Sequence, residues 1–239
     1  VKDPLHRPLV EVTVAAPADE VWRALRDPAR IAQWFGWDTE TLADEIAYIF
    51  HEHATPDDAA RILRFGLGDW YEVEPRGEAC VVRVVRAAPA ADHDWDDIFE
   101  DMTQGWIAFT QQLRFALERH AHDARRTIFL SGIPRDQSAA AALGLPASPA
   151  GTAYVLDAPT GDRLTGQIWH RGKHQVGATV DGFGDGLIVA LDRAPSAEKR
   201  GASSITITTY GLADDAFAAL EARWRAWWAA HFTVAAPDC

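Results

Sequence analysis

The chain has 239 residues, 48% hydrophobic and 24% charged, a globular composition that excludes a disordered protein. Its length fits one large domain or two small ones. A formal net charge of -12 repels phosphate backbones and anionic lipid surfaces, so neither nucleic acid nor a membrane is expected as a partner.

The two cysteines, Cys80 and Cys239, supply no disulfide framework, which suits a reducing compartment. Charged or polar residues interrupt every apolar run well before membrane-spanning length. The first residues, VKDPLHRP, lack the apolar core of a signal peptide. The expected location is the cytoplasm, and the heavy use of Arg and Ala suits a GC-rich bacterial genome.

Leu9 to Val14 alternates apolar and polar residues, as a half-buried strand does. Pro17-Ala18-Asp19 opens a helix with Val21, Trp22 and Leu25 on one face. Asp27-Pro28 breaks it, because proline disfavours the helical region for the residue before it. A second short helix is expected over Ala29–Phe35, ending at Gly36. Strands are expected at Ile46–His53, Ala60–Phe65, Trp70–Glu74 and Cys80–Val85. They are separated by Thr55-Pro56-Asp57, Gly66–Gly68 and Arg76-Gly77.

From Asp94 to His120 the sequence predicts a helix of about seven turns, with Ile98, Met102, Trp106, Phe109, Leu113 and Leu117 on its apolar face. Asp92, Asp94, Asp96 and Asp97 stand where carboxylates cap free amides. Arg119, His120 and His122 suit the opposite end of the dipole.

The second half follows a similar order. A strand is expected at Thr127–Ser131 and a short helix at Asp136–Leu143. Strands then follow at Thr152–Leu156, Gly166–Arg171, Gln175–Val180, Leu187–Leu191 and Ser204–Tyr210, with a turn at Asp181–Gly186. Asp214–His231 is a closing helix carrying Phe217, Leu220, Trp224, Trp227 and Trp228. Strand, helix, strands and long aromatic helix, twice over, suggest an internal duplication. The domains are read as 1–123 and 124–239, with a short joint at residues 121–126.

The string Ala16 to Asp38, APADEVWRALRDPARIAQWFGWD, resembles the opening of the SRPBCC (START-like, helix-grip) superfamily. It is most similar to the branch named after the activator of the ninety-kilodalton heat-shock-protein ATPase. Val21-Trp22, Leu25, Asp27-Pro28, Ile31 and Trp34-Phe35 carry the resemblance, with Gly105-Trp106, Leu113 and Leu117 in the closing helix. It covers residues 9–120. The resemblance implies an α+β helix-grip fold, a curved antiparallel sheet wrapped around a long C-terminal helix, here present twice. It also implies a cavity between sheet and helix, often used for sterols, polyketides or other apolar molecules.

Trp34, Phe35 and Trp37 would stand at the mouth of such a cavity, or plug the open end of the sheet. Phe65 and Trp70, on either side of the Gly66–Gly68 turn, join them as ligand-binding candidates, with Met102, Trp106, Phe109 and Leu113 from the helix. The helical stripe must be buried for folding whether or not a ligand exists. His51 and His53, at i and i+2 on a strand, face one side and are candidates for acid–base work, or surface histidines. Asp101, favoured over Glu100 and Gln104, is a candidate acid if it faces the cavity, or part of a solvated face. His170 and His174 flank a hairpin turn and are read as solvated. Gly182, Gly184 and Gly186 are turn glycines.

No Walker loop, dinucleotide-binding turn, nucleophile elbow or zinc Cys/His set is present, so neither a metal nor a standard cofactor is expected. The leading expectation is a non-enzymatic binder of a small hydrophobic or aromatic molecule. A cyclase- or dehydratase-type enzyme acting on a polyketide-like substrate comes second. A chaperone-associated interaction module comes third, and it would want an N-terminal domain where this chain opens with its first strand. A homodimer is compatible with all three.

Overall fold

The alternation at residues 9–14 forms β1 (Pro8–Val14), with Val12 and Val14 turned into the core. The structure is a computed structural model that describes residues 8–66, 68–86, 96–193 and 201–233. In the first long helix it describes side chains from residue 102 onward. The expected caps at Asp92, Asp94, Asp96 and Asp97, with the side chains of Ile98, Glu100 and Asp101, lie outside the described residues. The chain divides into two compact units, Val1–His122 and Asp123–Cys239.

In the first unit, α1 (Ala18–Ala24) buries Val21, and α2 (Pro28–Ile31) follows. The Asp27 carboxylate accepts from the backbone N–H of Ala29 at 2.9 Å and of Arg30 at 3.4 Å. Pro28 takes the first helical position, where a missing N–H costs nothing. The expected helix to Phe35 is shorter than read. Beyond Ile31 the backbone runs through turns to Gly36, whose φ is +60°. A Cβ there would also stand 2.8 Å from Leu42 Cδ1, so glycine lets the chain fold back directly into α3.

The strand expected at Ile46–His53 is a helix. α3 (Leu42–Ala47) runs into a π-helical turn, Tyr48–Glu52, in which the His53 N–H donates to the Tyr48 carbonyl at 3.0 Å. Ile46, Tyr48 and Phe50 mimic strand alternation, but the buried residues are Leu42, Ile46 and Phe50, four apart, and that is helical spacing. The Thr55-Pro56-Asp57 turn is in fact β2 (Ala54–Asp57). As the edge strand it tolerates Pro56, which has no N–H to offer a ladder.

β3 (Ile62–Phe65), β4 (Trp70–Arg76) and β5 (Ala79–Val85) complete an antiparallel sheet in the order β1-β5-β4-β3-β2. Leu63, Tyr71, Val84 and Val10 stand opposite one another across four strands, as do Val73, Val82 and Val12 across three. The other face is charged: the Arg83 guanidinium bonds Glu11, Glu72 and Glu74. α4 (Asp96–Arg119) packs against β1 and β5 on the apolar face. Of the expected apolar face, Trp106 and Leu113 are buried and Phe109 and Leu117 pack against the core, whereas Met102 is 37% exposed; Thr103 and Thr110 are buried on the same side.

In the second unit, β6 (Arg125–Pro134) is followed by α5 (Ala139–Leu143), which begins three residues later than Asp136. The cause is tertiary. Asp192 accepts the first free amides of α5, from Ala139 at 2.7 Å and Ala140 at 3.0 Å. β7 (Ala153–Asp157), β8 (Arg163–Arg171), β9 (Gln175–Val180), β10 (Gly186–Arg193) and β11 (Ala202–Tyr210) follow, with α6 (Asp214–His231) and a short β12 (Phe232–Thr233). The sheet order is β12-β6-β11-β10-β9-β8-β7. In each sheet the strand that opens the unit lies beside the last strand of the meander. No helix among the described residues is long and apolar enough to cross a membrane.

Candidate functional site

The interior of the first unit is a cluster of rings that touch one another, contributed by five separate elements. Trp34 and Phe35 come from the turn after α2, Phe50 from the π turn, Phe65 from the end of β3, Tyr71 from β4, and Trp106 and Phe109 from α4. Trp34 lies at the base, 1% exposed, and its indole N–H donates to the Ala24 carbonyl at 2.9 Å. That bond satisfies the polar edge of the ring and leaves its faces for packing.

Phe50 sits among Phe35 at 4.9 Å, Phe65 at 5.5 Å, Trp34 at 5.6 Å and Trp106 at 6.4 Å between centroids, all nearly edge-to-face. Trp106 stacks on Phe65 at 5.1 Å and meets Tyr71 edge-on at 5.6 Å. Phe109 approaches Phe35 at 4.8 Å. Each such pair contributes about 0.5–1.5 kcal/mol beyond the area it buries. Trp34, Phe50 and Tyr71 are fully buried, whereas Phe65 and Phe109 are partly buried and form the rim of the cluster.

Polar groups interrupt the apolar wall on the α4 side. The Tyr71 hydroxyl lies 3.0 Å from Thr110 Oγ1, and Thr110 donates to the Trp106 carbonyl at 2.7 Å. Burial pushes the Tyr71 phenol well above the ordinary tyrosine range. About two turns toward the helix start, Arg86 Nη1 donates to Thr103 Oγ1 at 2.8 Å, and Arg86 Nε to Asp69 Oδ2 at 2.8 Å. Asp69 and Arg86 are both buried. A buried ion pair with a second hydrogen bond, to Thr103, holds α4 to the loop before β4 and to the end of β5.

The sequence candidates divide accordingly. Trp34, Phe35, Phe65, Trp106 and Phe109 share the cluster, and Leu113 belongs to the same core. Trp37 is half-buried. Trp70 alternates with Tyr71 along β4, so it stands on the face of Glu72, away from the cluster. Met102 stands on the exposed side of α4, while its neighbour Thr103 is buried. His51 and His53 do not share a strand face: both are exposed, and His53 tucks against Tyr48 at 4.0 Å with Nδ1 3.1 Å from the Tyr48 carbonyl. The Asp101 side chain lies outside the described residues. His170, expected in a solvated turn, is buried within β8, its Nε2 3.0 Å from Gln175 Oε1.

Sequence reasoning missed Phe50, Tyr71, Thr110 and the Arg86–Asp69 pair. Phe50 was readable from the four-residue spacing Leu42, Ile46, Phe50. The threonines were not, since a threonine in a helix carries no signal of facing inward.

The second unit has its own aromatic core, in which Trp224, Trp227, Trp228 and Phe232 are in ring contact. The Trp224 indole N–H donates to Asp162 Oδ2 at 2.9 Å and fixes the β7–β8 turn to α6. Its surface has a cavity of about 200 Å³ beside Asp136, Gln137, Ala142 and His231. Another, of about 110 Å³, lies at the β8–β9 loop, lined by Arg171, Lys173, His174 and Asp192 among others. Neither is lined by a Phe, Tyr or Trp side chain. Among the described residues, no group of three or more His, Cys, Asp or Glu is placed to hold a metal ion.

No protein-family model and no curated protein matches the chain. Among solved structures, the chain is similar to DynU16, a protein of the dynemicin biosynthetic locus, at 20% identity over 95% of this chain and 96% of that one, with a TM-score of 0.32. It is also similar to the di-domain ARO/CYC StfQ from the steffimycin biosynthetic pathway, at 11% identity over 93% of each chain, with a TM-score of 0.36.

Proposed function

We propose that the first unit binds a small, flat, apolar or aromatic molecule at the rim of the ring cluster, in a helix-grip arrangement, and does so without catalysis. The observation that carries this reading is the gradient of exposure across mutually packed rings. Phe65 and Phe109 are only partly buried, against a fully buried base of Trp34, Phe50 and Tyr71. Partly buried rings over a buried aromatic floor offer a planar ligand both desolvation and ring stacking. The second unit, with the same first-to-last strand pairing and its own closing helix, is read as a second helix-grip unit whose interior is occupied by its tryptophans.

Titration of the full chain with 2-naphthol and with a hydroxylated anthraquinone, followed by tryptophan emission, tests the proposal. Saturable quenching is expected, with affinity lowered about tenfold in Trp106→Ala, roughly the loss of one stacked aromatic contact. Linear, non-saturating quenching would sink it.

A second reading, a cyclase-type enzyme acting on a polyketide-like substrate, is favoured by one observation. Thr103, Trp106 and Thr110 share the buried line of α4, so polar groups lie beside the ring wall. Turnover of a poly-β-ketone thioester that is lost in Tyr71→Phe, with 2-naphthol binding retained, would favour this reading over passive binding.

A further inference from the structure

Phe50 stands in a box of aromatic rings. Four aromatic side chains surround it, Trp34, Phe35, Phe65 and Trp106, and three of these meet it at 77–90°. Edge-to-face contact of this kind is selective for aromatic over aliphatic guests, because it depends on the ring quadrupole.

The element that carries Phe50 is unlike the rest of the unit. Its backbone closes a five-residue π turn, a rare geometry that recurs at functional sites. Phe50 itself is 2% exposed, yet Tyr48 is 55% exposed and His51 and Glu52 are exposed too. The turn therefore forms an outer layer over the box, and swinging it outward uncovers the rings of Trp34, Phe35, Phe65 and Trp106 that a ligand ring would meet. Its far end is tied to the body where the Gly66 N–H donates to the His53 carbonyl at 3.0 Å, beside β2 and β3.

We propose that the position of the Phe50 ring is a subsite for one aromatic ring of the ligand, and that Phe50 leaves it when a planar molecule of one or two fused rings binds. This rests on the reading of the first unit as an aromatic-ligand site and adds where the ligand goes and what it displaces. Phe50 is then an intramolecular competitor. Apparent affinity is scaled by the fraction of molecules in which the π turn has swung out.

The test uses the full chain as wild type, Phe50→Leu and Phe50→Ala, with 2-naphthol and cyclohexanol as probes. Stopped-flow tryptophan emission gives association rates, and amide hydrogen exchange reports on residues 49–53. Phe50→Leu keeps the site occupied by a smaller aliphatic side chain and covers the case in which Phe50→Ala fails to fold. In the wild type, 2-naphthol is expected to accelerate exchange at residues 49–53. In either variant, association is expected to rise by about tenfold or more, as a competing ring is removed. Cyclohexanol is expected to bind none of the three measurably.

Equal association rates in all three proteins, with exchange at residues 49–53 unchanged by ligand, would overturn the subsite while leaving the rim reading intact. Binding by the variants alone would show Phe50 to be a permanent core ring, and this also overturns the proposal. No saturable binding by any folded protein would remove the underlying reading and the subsite together.

Discussion

The Tyr71 hydroxyl is the donor in its bond to Thr110, because the one hydroxyl hydrogen of Thr110 is already committed to the Trp106 carbonyl 2.7 Å away. The chain Tyr71 to Thr110 to Trp106 therefore has a direction. It ties the floor of the ring cluster to the helix backbone at the residue that stacks on Phe65.

That direction makes the two partners unequal. Thr110→Val strands a fully buried phenolic hydroxyl and is expected to cost about 1–3 kcal/mol, whereas Tyr71→Phe leaves Thr110 bonded to the Trp106 carbonyl and is expected to cost about 1 kcal/mol. The double variant is expected to be more stable than Thr110→Val alone, since it removes the stranded donor. Urea unfolding of the three variants measures this. A double variant less stable than both singles would contradict the assigned direction.

The Arg86–Asp69 pair is buried on both sides and bonded to Thr103. Asp69→Ala deprives the buried guanidinium of that carboxylate and is expected to cost about 3 kcal/mol or more, while Asp69→Leu with Arg86→Met is expected to cost less. Thermal melts compare the two. Equal losses would mean that the charge pair itself, not the burial of a lone charge, sets the cost.

Alkaline pH is expected to destabilise the protein through buried groups that resist ionising. Burial raises the phenols of Tyr71, Tyr154 and Tyr210, with Asp181 adding to the effect at Tyr154; at Tyr210, Arg125 opposes it, and Asp123 and Asp185 add to it. Burial also pushes the Cys80 thiol up to about 11 from its ordinary 9.0. A folded-state value above the unfolded one means the stability is whole below the unfolded value and is lost as pH rises. The loss should begin above about pH 9 from Cys80 and deepen above about pH 10 from the tyrosines. In a Cys239→Ser background, Cys80 should react with a thiol reagent at pH 8 only as fast as the protein unfolds. Rapid labelling of the folded protein would contradict its burial.

In the second unit His170 lies across Gly177, and a Cβ on Gly177 would stand 2.3 Å from His170 Nδ1. Gly177→Ala is expected to destabilise by about 1–3 kcal/mol as the imidazole is forced aside. Adding His170→Ala to it should return part of that loss. Denaturation midpoints of the single and double variants decide, and a double variant no more stable than Gly177→Ala would show that the clash lies elsewhere.

The elements most legible in the sequence were those whose own pattern was complete. α6 occupies the span expected of it because Phe217, Leu220, Trp224, Trp227 and Trp228 return to one face at helical spacing, and all five are buried. β9 also matches residue for residue. The π turn was misread because Ile46, Tyr48 and Phe50 satisfy strand alternation while Leu42, Ile46 and Phe50 satisfy a helix, and local pattern does not choose between them. The face of α4 was legible from Trp106 through Phe109 and Leu113 to Leu117, and failed only at Met102. Hydropathy favours Met102, yet Thr103 is the residue that Arg86 bonds.

Composition and periodicity alone determined that this chain is an α+β protein with long aromatic helices and a sheet region before each of them, because those properties follow from spacing along the backbone. Tertiary structure decided which rings meet, that Phe50 rather than Trp70 enters the cluster, and that the helix wall carries threonines tied to Tyr71 and Arg86. These depend on partners distant in the chain, such as Tyr71 and Thr110, whose pairing exists only once the sheet and α4 are in contact. Local preference carries no information about such a pairing.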